Sequence, residues 1–93
     1  MQNNKEVRVG ASEFVSRNSS CVYFKKGYSD YISGKSFDYT IESRLGAARY
    51  ERGRCFAIAT KKLRFPKATW RNNIMSKAAG ERLLKAYALG YIL

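Results

Sequence analysis

A chain of 93 residues is long enough for one modest hydrophobic core and too short for two domains. Seven Tyr, five Phe and one Trp against a single Pro exclude a disordered polar chain, and no apolar run approaches the ~20 residues that span a bilayer. The net charge of +11 is lopsided, with six basic and five acidic residues in 1–42 but twelve basic and two acidic in 43–93, which points to an anionic partner.

The polar start MQNNKEVRVG contains no leader-like apolar run, so the expected location is cytoplasmic. Within a single domain spanning 1–93, residues 1–6 read as a frayed terminus and residues 1–11 as its flexible part. The VRV of residues 7–9 has the composition of a short strand, and Ser12 is placed to cap a short helix holding Phe14 and Val15. RNSS, residues 17–20, reads as a loop supplying the next N-cap. From Cys21 the spacing of Phe24, Tyr28 and Tyr31 puts one apolar face on a helix, widened by Val22 and Ile32. Gly34 falls where a helix ends in a left-handed residue.

KSFDYT, residues 35–40, reads as a connector whose Phe37 and Tyr39 tuck against the helices. Asp38 or Thr40 is the expected cap of a second helix over residues 41–63, with Glu42 in its first turn. Leu45, Ala48, Cys55, Phe56, Ala59 and Leu63 trace its apolar face, interrupted by Arg52. Gly46 and Gly53 each weaken a helix by about 1 kcal/mol, which implies a backbone or ligand approaching closely there. Pro66 stops the helix. Residues 67–73 read as a polar loop anchored by Trp70, with a turn at Asn72 and Asn73. A last helix starts at the Ser76 cap, turns Ala79, Leu83, Leu84 and Tyr87 inward, and stops at Gly90. The expected fold is mainly α, a small bundle of about three helices with a short N-terminal helix or strand.

The chain has no histidine. That removes the usual general base, the commonest metal ligand and the Cys–His nucleophile pair. The carboxylates are scattered and no glycine-rich phosphate loop is present, so the sequence reads as non-enzymatic, with no cofactor or metal. Cys21 and Cys55 read as buried unpaired thiols. The chemistry-bearing pattern is cationic: Arg44, Arg49, Arg52 and Arg54, then Lys61, Lys62, Arg64, Lys67 and Arg71. The helical members cannot all share one face at about 100° per residue. Guanidinium groups suit bidentate phosphate contacts, and Trp70, Tyr50 and Tyr91 are candidates for stacking on unpaired bases.

FKKGYSDYISGKS and YERGRCFAI together resemble the ribosome modulation factor family, small basic proteins of hibernating bacterial ribosomes. The likeness rests on Lys26, Gly27 and Tyr28, on Gly34, Lys35 and Ser36, and on Tyr50 with Gly53. It covers residues 24–58, lacks the family's Cys-Pro before the middle tyrosine, has Arg54 in place of an aromatic, and has no counterpart for 66–93. The resemblance implies a helix-turn-helix scaffold attached to ribosomal RNA. The expected partner is therefore nucleic acid, RNA in preference, or a ribonucleoprotein. The alternative is a small inhibitor of phage or mobile-element type that docks on an acidic host protein through the Gly46/Gly53 face or exposed aromatics. A membrane partner is not expected, since the basic helices lack a broad exposed apolar face.

Overall fold

The computed structural model describes residues 13–92. The strand read at 7–9, the Ser12 cap and the flexible stretch 1–11 lie outside the described residues. Residues 13–18 are helical (α1), followed by α2 (Val22–Ile32), α3 (Arg44–Lys62), β1 (Trp70–Arg71), β2 (Ile74–Met75) and α4 (Lys77–Ala88). The protein is mainly helical, as the periodicity predicts. No helix among the described residues is long and apolar enough to cross a membrane.

Two glycines fix how α2 and α3 meet. A Cβ on Gly27 would collide with the Tyr50 carbonyl oxygen, and a Cβ on Gly53 with the Phe24 carbonyl oxygen. The same Gly53 Cβ would lie 2.9 Å from the Tyr28 amide nitrogen. Each helix backbone thus rests in the notch left by the other's missing side chain, closer than ordinary side-chain ridges permit. Gly46 lies beneath the Tyr23 ring, 2.9 Å from where its Cβ would be. The close approach inferred at Gly46 and Gly53 is therefore made within the chain, by α2. Both glycines are buried and closed to any outside partner.

Contacts climb the two helices together. Tyr23 lies over Gly46, Gly27 meets Tyr50, and the Tyr31 ring is flanked by Arg54 and Lys61. The helices therefore run in broadly the same sense, and residues 33–43 must double back along them. Tyr50 secures that return. Its buried hydroxyl donates to Asp30 Oδ2 at 2.8 Å and accepts the Asp38 amide at 3.1 Å, while its ring meets Phe37 edge-on at 5.1 Å. Lys26 bridges Asp30 at 2.8 Å and Asp38 at 3.2 Å.

This lock displaces the expected helix start. Asp38 Oδ1 accepts the Thr40 amide at 2.9 Å and its hydroxyl at 2.6 Å, a local turn. Committed there, Asp38 caps nothing, and Ser43 caps α3 instead through the Gly46 amide at 3.0 Å. Glu42 precedes the helix rather than lying in its first turn. The buried face of α3 also differs from the apolar reading. It is Gly46, Tyr50, Gly53, Phe56, Ala57, Ala59 and Thr60, while Leu45 is 57 % exposed. Small residues and two aromatics, Tyr50 and Phe56, face α2 because the backbones approach too closely for leucine at the crossing. Val22 and Tyr39 are likewise exposed, at 59 % and 87 %.

The core runs from Phe24 and Tyr28 through Phe56 to Met75, Ala79, Leu83, Ala86 and Ile92. Leu84 and Tyr87 are only partly buried, and Phe14 of α1 stacks on Tyr87 at 4.1 Å between centroids. The stretch read as a loop contains a two-stranded hairpin, Trp70 opposite Met75 and Arg71 opposite Ile74. Asn72 and Asn73 both have positive φ, 52° and 62°, the mirror-image turn that matches strand twist.

Two outcomes test this architecture. Gly27→Ala or Gly53→Ala forces the helix backbones apart and should cost about 3 kcal/mol or more in urea unfolding. Gly80→Ala, whose Cβ meets nothing closer than Val15 Cγ1 at 3.9 Å, should be neutral or stabilising by up to about 1 kcal/mol. In the second test, Thr40 and then Lys26 hold the Asp38 carboxyl at about 2, below its ordinary 3.8. A depressed folded-state pKa contributes stability that is complete above 3.8 and is lost as pH falls through about 2. Urea midpoints measured across that window should fall less steeply in Asp38→Asn than in the parent.

Candidate nucleic-acid interface

The cations singled out in the sequence divide by what holds them. Arg54 is half-buried: Nη1 donates to the Lys35 carbonyl at 3.0 Å, and the guanidinium lies 5.3 Å from the Tyr31 ring and 5.6 Å from Phe37. Arg49 is also half-buried, its Nη1 3.9 Å from Cys21 Sγ and its Nε enclosed without a hydrogen-bond partner. Arg52 lies 5.7 Å from the Phe14 ring. These three side chains link α3 to the connector, to the start of α2 and to α1. Their apolar and planar surfaces take part in packing as well as their charge.

Arg44, Lys61, Lys62, Arg64, Lys67 and Arg71 are exposed. Five of these six follow one another from the last turn of α3 into the hairpin, and Arg44 sits at the opposite end of α3. Among the described residues, no carboxylate lies within salt-bridging distance of any of the six. The ion pairs found are Arg17 with Glu13, and Lys26 with both Asp30 and Asp38. One lysine thus absorbs two aspartates of the first half, while the later cations stay uncompensated.

Arg64 carries a backbone signature too. All three long helices end alike, with a C′ residue of positive φ: Gly34 at 78°, Arg64 at 57° and Gly90 at 86°. In each, the following amide reaches back to the third-last helical carbonyl: Lys35 to Asp30, Phe65 to Thr60 and Tyr91 to Ala86. Two use glycine, as predicted at Gly34 and Gly90. The third places an arginine where a side chain costs about 1–2 kcal/mol.

Trp70 is half-buried, with Nε1 donating to the Ser19 carbonyl at 2.8 Å and its ring edge-on to Tyr28 at 5.4 Å. It borders a groove of about 330 Å³ between α2 and residues 67–70, with Lys25 and Lys67 also in its lining. Lys25 was not singled out in the sequence, because the first half looks charge-balanced until both aspartates are found on Lys26. Of the other aromatics read as stacking candidates, Tyr50 is wholly buried and structural, whereas Tyr91 is 38 % exposed.

Neither cysteine is disulfide-bonded, and both are half-buried. Burial raises the Cys21 thiol, but the Phe24 and Tyr23 amides and the Arg49 guanidinium outweigh it, so its pKa falls below the ordinary value. Burial, and then the charge of Glu51, push Cys55 up.

Arg64→Gly relieves the strained helix ending and should stabilise the fold by about 1 kcal/mol, read as a thermal midpoint about 4–8 °C higher. A midpoint that stays or falls would mean the Arg64 side chain makes a stabilising contact of its own. No protein-family model, curated protein or solved structure matches this chain.

Proposed function

We propose that this protein is a non-enzymatic nucleic-acid-binding module, with RNA or a ribonucleoprotein as its ligand. The observation that carries the reading is the run of exposed cations from Lys61 to Arg71, none of them in an ion pair among the described residues. Like charges gathered without carboxylates repel one another, and a phosphate backbone relieves that repulsion by releasing its own counterions. Arg64 supports the same reading, since a strained arginine stands where glycine would be more stable. The resemblance to ribosome modulation factor in the α2–α3 segment adds the expectation of RNA in a ribonucleoprotein.

Arginines 49, 52 and 54 serve chiefly to hold elements together, so the phosphate contacts fall to the exposed residues after them. Binding should weaken steeply with salt. Replacing Lys62 and Arg71 together by Ala should reduce the slope of log affinity against log salt by about 2, one per lost phosphate contact. Arg17→Ala, whose charge is already paired with Glu13, should leave the slope unchanged. An unaltered slope in the Lys62/Arg71 variant would remove this surface from the interface.

A further inference from the structure

The groove beside Trp70 has the chemistry to select among nucleic acids. Its volume, about 330 Å³, is at the low end of ligand sites and suits one planar ring rather than a large cofactor. Trp70 forms one aromatic wall, held by its bond to Ser19, and Tyr28 a second, its hydroxyl accepting the Ala68 amide at 2.8 Å. Lys25 and Lys67 line it from opposite sides, Ser33 and Thr69 add hydroxyls, and no acid among the described residues takes part. The Lys25 ammonium is 6.0 Å from the Trp70 centroid, the outer limit of a cation–π contact, so little holds it from a phosphate. On its other side Trp70 borders a second, open groove along the hairpin, lined also by Arg71 and Asn72. Cations therefore flank the indole both before and after it along a continuous surface.

We infer that this groove receives one unpaired base, stacked on Trp70, with its flanking phosphates on Lys25 and Lys67. The inference rests on the nucleic-acid reading above and narrows it: the ligand is single-stranded, or a looped or bulged stretch of structured RNA, and not a continuous duplex. In a duplex the base faces are already stacked and cannot enter a side groove, whereas a single strand offers a π-face at every base.

Trp70 is the only tryptophan in the chain, so its emission reports the groove without any labelling. The full-length protein is titrated with fluorescein-labelled oligouridylate and, separately, with a labelled RNA duplex of matched charge. Anisotropy of the label reports binding, and intrinsic emission reports stacking. Oligouridylate should bind and quench Trp70 in parallel, and the duplex should bind more weakly or without quenching. Lys25→Ala with Lys67→Ala, the first half-buried beside Trp70 and the second exposed, should weaken oligouridylate binding about tenfold and reduce the salt slope by about 2. Trp70→Phe, which keeps a ring, should retain more affinity than Trp70→Leu, which should lose about tenfold. Oligouridylate binding with unchanged emission, or equal quenching by the duplex, would overturn the base site and leave the electrostatic reading standing. Absence of binding to either RNA would overturn both.

Discussion

The structure depends on two backbones touching. Where α2 crosses α3, the positions that meet are both glycine, and each helix packs against the other's carbonyl. Much of what surrounds the crossing follows from that closeness. No large aliphatic fits the contact face of α3, so its buried surface is built from glycine, alanine, threonine and the two rings of Tyr50 and Phe56. The core's bulk must come from the ends, from Phe24, Tyr28 and Phe56 on one side and α4 on the other. Tyr50 also pairs the Asp38 amide of the returning connector with the buried Asp30 carboxylate of α2 through its one hydroxyl.

The same geometry organises charge. Because the connector returns past α2, it brings Asp38 to Lys26, which already holds Asp30 one turn along its own helix. Two of the five acids of the first half are thus drawn onto one lysine. Among the described residues the exposed cations from Lys61 to Arg71 have no such counterpart, and several lie at the carbonyl end of α3, where the helix dipole favours them. Favourable placement on the helix and availability to an anion go together here, since neither needs a carboxylate.

Signals confined to a few neighbouring residues were legible in the sequence. Glycine at a helix end, Ser76 as a cap and the aromatic spacing of α2 each act within about two turns, and each is seen. Signals that need a distant partner were not. Asp38 has the makings of a cap until Thr40 and Lys26 engage it, and Lys26 is twelve residues away. Leu45 and Ala48 look like an inner face because they are apolar, yet the glycine side wins because Gly27 happens to oppose it. The hairpin was signalled by Asn72 and Asn73, both residues that accept positive φ, but two-residue strands give no alternation to read. Lys25 could be identified only after the acids near it were accounted for.

The crossing has an evolutionary consequence. Alanine at either glycine would have to await a shift of the partner helix, so single mutations at those positions face a barrier. The lysines and arginines between 61 and 71, apart from the strained Arg64, make few internal contacts and can drift one at a time. A lineage built on this scaffold would keep its knot of glycines, Lys26 and Tyr50 while its outer face varied.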